Sequence, residues 1–232
     1  MLAVDGSVSS PDRQTRGSAW QDLLHASATE VPQAASVVEI DLSRVARRLE
    51  HERDAWSARG LDPDFTACFA EALLVALARV PQANAAFEPT GIRRYPAVHL
   101  GLSLVSADGG SARHGVVRDA DTRNVLGLAV EARAVRERGA SEQDVLSEAT
   151  VTLVDYGPGS AMFAVPLVLP GQSLAVRVGA VEERLVSRER GLAITPTAFV
   201  CASIDHRALD GMDAGAVLGE MKRYLEAYPV QP

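Results

Sequence analysis

The residues best suited to chemistry lie near the C-terminus, at 203–211, where the sequence reads SIDHRALDG. Here His206 stands four positions before Asp210, and an alternating apolar run, 199–202, comes before it. The alternation predicts a strand that ends close to His206 and leads into a tight turn. An imidazole takes up and releases protons near neutral pH, so a histidine at such a strand end suits general-base catalysis of acyl transfer from a thioester. Taken alone, His206 is also compatible with a structural histidine held by hydrogen bonds.

The elements that must position His206 alternate between helices and strands. Apolar periodicity and helix start signals predict helices at 20–26, from a cap at Asp41 or Ser43 to Arg59, at 62–81, at 122–138, after a capping box at 141–144, and at 212–228. Alternation and β-branched residues predict strands at 34–40, 96–106, 116–117, 151–155, 163–169, 173–179, 182–188 and 192–206. This interspersed order predicts an α/β (α+β) fold, in which a mixed sheet is covered by helices.

The length suffices for one substantial core or two small ones, and the lack of an internal repeat or interior linker favours one globular domain after a polar tail. The chain has 232 residues, of which 47% are hydrophobic and 23% are charged. Residues 1–17 are polar and lack the apolar core of a signal peptide, so we expect a disordered tail followed by a single domain at 18–232. No apolar run approaches the roughly 18 residues that cross a bilayer, so we expect no membrane partner and a cytoplasmic location.

Charge and potential metal ligands exclude several other classes of function. The net charge is −7, and no basic stretch is interleaved with aromatic residues, which counts against nucleic acid as a partner. The two cysteines are far apart in sequence, and the five histidines have no ligand spacing, so we expect no metal site. There is also no Gly-rich phosphate loop.

Five short segments, in chain order, resemble those of one known family. They are SVVEID at 36–41, PQANA at 81–85, YPAVHLG at 95–101, VRDAD at 117–121 and DHRALDG at 205–211. Together they make the chain, over roughly residues 18–230, similar to the catalytic domain of the acyltransferase (E2) component of 2-oxoacid dehydrogenase complexes. That family shares its fold with chloramphenicol acetyltransferase, so the resemblance implies the same fold here.

The resemblance also implies a mechanism and an assembly. His206 would remove the proton of a hydroxyl or thiol acceptor, which then attacks the thioester of acetyl-CoA or of an acyl-carrier protein. Asp210 would mainly pair with a basic group and fix the loop that presents the imidazole. The site would lie between subunits of a homotrimer, with His206 from one subunit and the region around Val154 from the next. No residue is assigned to CoA.

Two departures from the family pattern affect the expected function. The family's oxyanion-binding serine aligns with Val154, which cannot donate a hydrogen bond. Thr152 lies two residues away on the same strand face and is our candidate substitute, with Ser160, a backbone N–H or water as alternatives. No lipoyl-bearing domain precedes the catalytic region in this sequence, so we expect no lipoyl group on this chain.

These departures lead to three functional hypotheses. The first is a stand-alone CoA-dependent O-acyltransferase, in particular an acetyltransferase that acts on a small-molecule natural-product intermediate such as a hydroxymethyl-tetronate polyketide. An antibiotic-inactivating acetyltransferase is a close variant of it. The second is an E2 core that transfers acyl groups between dihydrolipoamide and CoA. The third is a non-catalytic scaffold that kept the fold.

Overall fold

The computed structural model describes residues 18–140, 143–157, 160–188 and 191–229. The predicted tail at 1–17 lies outside these residues, as do the first two positions of the predicted capping box at 141–144. The six helices described are α1 (Ser18–Glu30), α2 (Ser43–His51), α3 (Arg53–Ser57), α4 (Phe65–Arg79), α5 (Val125–Arg138) and α6 (Gly211–Glu226). The nine strands described are β1 (Gln33–Asp41), β2 (Ala85–Glu88), β3 (Gly91–Arg94), β4 (Leu100–Val105), β5 (Ala112–Val117), β6 (Val151–Asp155), β7 (Leu174–Val178), β8 (Glu182–Arg188) and β9 (Gly191–Asp205).

Seven of the described strands form one mixed sheet. Its order is β1-β9-β7-β6-β4-β5, and β8 pairs with the first half of β9. The pairs β4–β6 and β6–β7 are parallel, and the other pairs are antiparallel. Strand β9 is therefore the longest element of the sheet, and its C-terminal end delivers the segment that contains His206.

The two faces of the sheet differ in chemistry. Alternate residues of β4, β6, β7 and β9, such as Leu102, Leu153, Val176 and Ala202, are fully buried in the main hydrophobic core, beneath α4, α5 and α6. Directly paired residues point to the same side of a sheet. The intervening residues therefore form a second face, which carries polar side chains and faces away from these helices.

The predicted α/β fold, a mixed sheet covered by helices, is confirmed. Helix α4 illustrates why the pattern was readable: it is apolar around most of its girth, and ten of its residues are buried. Its start differs from the prediction, which placed Pro63 in the first turn. The helix begins at Phe65, because the Asp64 side chain accepts a hydrogen bond from the Thr66 N–H at 2.9 Å, and Pro63 precedes this cap.

Two other predicted elements were wrong, and one hairpin was not predicted. The helix expected to run from residue 43 to 59 is divided at Glu52, whose backbone leaves helical geometry (φ −93°, ψ 6°), and Trp56 in the second part is buried. The segment 163–169 is not a strand. Its alternating apolar residues lack a ladder partner among the described strands, and Val168 is instead tethered by the Gln33 and Ser27 side chains. The β2–β3 hairpin was not predicted, because its strands are only four residues long.

None of the helices in the described ranges combines the length and hydropathy needed to cross a membrane.

Candidate active site

His206 lies immediately after the last residue of β9. Its backbone N–H donates to the carbonyl of Pro32 at 2.8 Å, which continues the pairing of β9 with β1 by one more residue. Its side chain is exposed. The structure thus presents this imidazole at the end of a central strand, with its backbone held and its ring accessible, as a general base requires.

The neighbours of His206 form an ion pair. The Asp205 carboxylate is almost completely buried, and it accepts from the Arg207 side chain at 2.9 Å and 2.7 Å and from the Arg207 backbone N–H at 3.0 Å. The Arg207 guanidinium also lies 4.5 Å from the centre of the Phe87 ring. These contacts stiffen the chain on both sides of the imidazole.

Asp210 has a different partner from the one expected. Its carboxylate caps α6 by accepting from the backbone N–H groups of Met212 at 2.7 Å and Asp213 at 3.0 Å. The Asp213 side chain accepts in return from the Asp210 N–H, which completes a capping box. Within one chain Asp210 makes this cap, and its expected pairing with a basic group stays a prediction. The helix N-terminus satisfies the carboxylate with backbone donors and favours its negative charge.

Thr152, the candidate oxyanion donor, is buried and its hydroxyl proton is already used. Thr152 Oγ1 donates to Gln172 Oε1 at 2.8 Å, and the Gln172 amide donates in turn to the Leu146 carbonyl at 3.1 Å. A hydroxyl has one proton to donate. Thr152 therefore holds the segment before β7 against β6, and its hydroxyl has no proton free for a substrate in this arrangement.

A row of directly paired residues crosses the second face of the sheet. It runs through Ser103 on β4, Val154 on β6, Arg177 on β7 and Cys201 on β9, and His114 on β5 extends it beyond Ser103. Sequence analysis missed Arg177. The signal that could have identified it was one charged residue within the otherwise apolar strand LAVRV.

Tyr156 links two members of this row. Its hydroxyl is hydrogen-bonded to Ser103 Oγ at 3.0 Å, and its ring centre lies 4.7 Å from the Arg177 guanidinium carbon. Ser103 and Arg177 flank Val154 on its two sides. Val154 therefore lies between hydrogen-bonding side chains at a partly exposed position. We call Ser103, Val154, Tyr156 and Arg177 the Val154 niche.

One chain does not bring His206 to the Val154 niche. Thr152 on β6, Ala175 on β7 and Ser203 on β9 are paired directly and so define one line across the three strands. Along the strands, His206 lies three residues from this line in one direction and Val154 lies two residues from it in the opposite direction. Five residues at about 3.3 Å and two strand spacings of about 4.8 Å place the two Cα atoms roughly 19 Å apart. By the same measure His206 and Thr152 are roughly 14 Å apart.

Other polar features lie away from His206. A surface groove of about 590 Å³ is lined by residues of α2, β1, β8 and α6, among them Arg44, Arg47 and Lys222. Lys222 already donates to Glu226 Oε1 at 2.7 Å. Asn84 is buried and its side-chain N–H donates to the Ala97 carbonyl at 2.9 Å, while its Oδ1 has no hydrogen-bond partner among the described residues. Within the described ranges, no three His, Cys, Asp or Glu side chains group together as metal ligands would.

Comparison with known proteins gives the family. The family model for the 2-oxoacid dehydrogenases acyltransferase (catalytic domain) matches residues 9–231. This chain belongs to that family. The predicted family membership is therefore confirmed, including the likeness in fold to chloramphenicol acetyltransferase, with a TM-score of 0.56 at 14% identity over 89% of this chain and 93% of that one.

Curated relatives of this family member are components of dehydrogenase complexes. The lipoamide acyltransferase component of the branched-chain alpha-keto acid dehydrogenase complex of Bacillus subtilis is 26% identical over 87% of this chain and 48% of its own length. The dihydrolipoyllysine-residue acetyltransferase component of the pyruvate dehydrogenase complex of Mycobacterium bovis is 28% identical over 92% of this chain and 40% of its own length. The chain thus spans less than half the length of these relatives.

Among solved structures, a probable dihydrolipoamide acetyltransferase from Listeria monocytogenes has a TM-score of 0.80 at 23% identity, over 98% of this chain and 100% of that one. The Azotobacter vinelandii dihydrolipoamide acetyltransferase has a TM-score of 0.79 at 20% identity, over 98% and 96%. In the Azotobacter enzyme, a serine, a histidine and an asparagine were investigated for roles in catalysis. The spacing between that serine and that histidine equals the spacing between Val154 and His206. The spacing between that histidine and the asparagine equals the spacing between His206 and Asp210.

Proposed function

We propose that this chain is the catalytic domain of an E2-type acyltransferase, which moves an acyl group between CoA and a dihydrolipoamide thiol. The observation that carries the proposal is the exposed His206 at the end of β9, held by the Pro32 carbonyl and by its ion-paired neighbours. The family match over residues 9–231 and the names of the curated relatives support this acceptor more than a hydroxymethyl-tetronate.

In the proposed reaction, His206 takes the proton from the attacking thiol. The thiolate sulfur forms a bond to the carbonyl carbon of the acyl thioester, and the carbonyl electrons move onto its oxygen. When the tetrahedral intermediate collapses, the carbonyl re-forms, the bond to the leaving sulfur breaks, and the imidazolium returns its proton to that sulfur. The enzyme forms no covalent bond with the acyl group.

We further propose that the working unit is a homotrimer. The separation of roughly 19 Å between His206 and Val154 is too large for one chain to complete the site, but a neighbouring copy can supply the missing half. Near the Val154 niche, the segment 162–167 exposes Met162, Phe163, Val165 and Leu167, with between 46% and 57% of each residue accessible. Its Phe163 ring packs against Phe199 on the same face, at 6.3 Å between ring centres. Exposed apolar side chains gathered in this way suit a subunit interface.

We also retain the domain organisation as a proposal: one domain from residue 18 onward. A single large core cluster, with members from Ile40 to Tyr228, supports it.

The test is an acyl-transfer assay with two acceptors in parallel. Purified protein and acetyl-CoA are incubated with dihydrolipoamide or with a hydroxymethyl-tetronate, and the products are identified by mass spectrometry. We expect acetyl-dihydrolipoamide from the wild type and its loss in His206→Ala, because a base contributes about 10²–10⁴-fold to such a step. His51→Ala, which changes another exposed histidine, is the matched control and should retain full activity.

A second function remains a candidate because of one observation: Val154 precedes His206 by as many positions as the serine studied for catalysis in the Azotobacter enzyme precedes its histidine. A change at this position is consistent with a site adapted to another acceptor, such as a small-molecule hydroxyl. Acetylation of the tetronate alone, dependent on His206, would favour this O-acyltransferase over the E2 proposal. Absence of transfer to either acceptor would contradict both.

A further inference from the structure

Arg177 is a charged residue in the middle of the apolar strand β7. It pairs directly with Val154 on one side and with Cys201 on the other, so all three side chains lie on the second face of the sheet. The residues next to Arg177 along its strand, Val176 and Val178, are buried in the core on the opposite face. A cationic side chain therefore occupies a central strand position in the sheet.

The Arg177 guanidinium has no carboxylate partner. In the described part of the chain, no Asp or Glu oxygen lies within ion-pair distance of it. The guanidinium stacks on the Tyr156 ring at 4.7 Å, and its charge counteracts the rise in the pKa of the neighbouring Cys201 thiol that burial causes. Its Nε atom is buried and makes no hydrogen bond. A buried, unsatisfied donor typically costs about 1–3 kcal/mol, and such a group calls for an explanation. An acceptor that arrives with the substrate is one.

The surrounding side chains hold the guanidinium beside Val154. The Tyr156 hydroxyl is anchored to Ser103 Oγ on the far side of Val154, so the ring and the guanidinium stacked on it stay close to this residue. Neighbouring strands are only about 4.8 Å apart, which an arginine side chain easily spans. The donors of Arg177 can therefore occupy the space in which a serine at position 154 would present its hydroxyl.

We propose that Arg177 is a catalytic residue, which donates a hydrogen bond to the oxyanion formed on the thioester carbonyl and so replaces the absent hydroxyl at position 154. The inference rests on the proposed acyl transfer. In the step concerned, the thiol proton goes to His206 of the neighbouring subunit, the new C–S bond forms, and the carbonyl π electrons move onto the oxygen that Arg177 binds. Collapse returns those electrons to the carbonyl, expels the CoA sulfur and releases the hydrogen bond.

Arginine suits this role better than Thr152, the candidate from sequence analysis. The Thr152 proton is donated to Gln172, whereas Arg177 has unused N–H groups and a positive charge. Hydrogen bonds to a charged acceptor from a charged donor are roughly twice as strong as neutral ones. A pre-positioned donor of this kind stabilises the transition state more than the ground state, because the negative charge develops only during the reaction.

The test combines loss and rescue. Arg177→Ala and Arg177→Gln should lower kcat for transfer from acetyl-CoA by about 10²–10³-fold with little change in KM, because only transition-state binding is lost. Adding Val154→Ser to Arg177→Ala should restore at least about tenfold of the lost kcat, because a hydroxyl then returns to the niche. A purely structural arginine would not be rescued by that serine. Thermal unfolding of each variant shows whether it is folded, and the glutamine variant keeps most of the side-chain volume.

The matched control is Arg184→Ala. Arg184 also lies on a strand of the sheet and stacks on an aromatic ring, that of Phe199 at 5.1 Å, but it is paired with Glu182. We expect its removal to leave kcat close to that of the wild type, because Arg184 lies outside the Val154 niche.

Three outcomes would overturn the inference. The first is an Arg177→Ala variant with wild-type kcat, especially if Tyr156→Phe or Ser160→Ala is slow. The second is failure of Val154→Ser to rescue a folded Arg177→Ala protein. The third is an effect seen only in the KM for succinyl-CoA, a donor whose acyl group carries a carboxylate, with kcat for acetyl-CoA unchanged. Arg177 would then bind the acyl carboxylate and not the oxyanion. A wild type without any His206-dependent transfer would overturn the proposed function as well, whereas an active wild type with unaffected Arg177 variants overturns only this inference.

Discussion

Asp205 and Arg207 clamp the residue between them: one buried carboxylate accepts the backbone N–H, the Nε and a terminal nitrogen of the same arginine. Asp205 and Arg207 are two residues apart in sequence, and their contacts close a tight turn with His206 at its centre. The orientation of the proposed base therefore depends on this ion pair.

We expect Arg207→Ala to lower the free energy of unfolding by about 2 kcal/mol, because the Asp205 carboxylate remains buried without its side-chain partner. Since one third of the Arg207 side chain is exposed, the loss should stay below that of a fully buried pair. Chemical denaturation measures it, and kcat should fall in parallel as the loop loosens. Arg118→Ala breaks the exposed pair with Glu148 and should change stability by less than about 0.5 kcal/mol. Equal effects of the two substitutions would contradict the clamp.

Asp210 should act as a helix cap and not as a reacting group. Asp210→Asn should retain activity within a few-fold, because asparagine caps helices as well as aspartate does. Asp210→Ala should lose about 1 kcal/mol of unfolding free energy, together with activity from the displaced loop. The matched control is Asn124→Ala, which removes the cap of α5, where Asn124 accepts from the Gly127 N–H at 2.9 Å. It should cost similar stability at unchanged kcat. A strong loss of kcat in Asp210→Asn would show that the carboxylate charge is needed for the chemistry.

Thr152→Val should affect folding more than catalysis. Removing the hydroxyl leaves Gln172 Oε1 buried without its donor, at a cost of about 1–3 kcal/mol. In the folded variant, kcat should remain close to that of the wild type, whereas an oxyanion donor would lose about 10²–10³-fold. Thr152→Ser keeps the hydroxyl and serves as the control for both measurements. A large drop in kcat with unchanged melting temperature would restore Thr152 as the donor.

Subunit mixing should reveal a site shared between chains. His206→Ala lacks the base and Val154→Trp blocks the niche, so each protein alone should be inactive. Co-expression should restore about a quarter of wild-type activity, because one interface in four pairs an intact His206 with an intact Val154 niche. Mixing two His206→Ala preparations that carry different tags is the control. No recovery in verified mixed oligomers would place the whole site within one chain.

The pH dependence of stability should report His114. Burial, and to a lesser extent the charge of Arg113, lowers the pKa of His114 to about 4 from the usual 6.5. The unfolded chain therefore takes up the proton first as the pH falls, so the free energy of unfolding should decline from about pH 6.5 to about pH 4 and be unaffected by this group above that window. The contribution is at most about 1.4 kcal/mol per pH unit. Denaturation at several pH values should show this slope in the wild type and in His51→Ala, and a smaller one in His114→Leu. An identical slope in His114→Leu would assign it to other groups.

The elements around His206 were predictable because their signals are local. The alternation in β9 and the one-sided apolar spacing of α6 each reflect a single buried face, which the order of residue types records directly. The segment 163–169 shows the limit of that signal. Its apolar residues do alternate, yet Phe163, Val165 and Leu167 are exposed. Alternation indicates that a segment has one apolar side, but it does not indicate which part of the protein covers that side.

The sequence by itself determined the family, the mixed sheet and the position of His206 at a strand end, since motifs and periodicity are properties of consecutive residues. Only the tertiary structure decided which side chains meet across strands. In the tertiary structure, Thr152 donates a hydrogen bond to Gln172, Asp210 caps the N-terminus of α6, and Arg177 lies beside Val154 on the neighbouring strand. Strand register brings together residues far apart in the chain, and a shift of one residue would send each side chain to the opposite face. No local pattern encodes that choice.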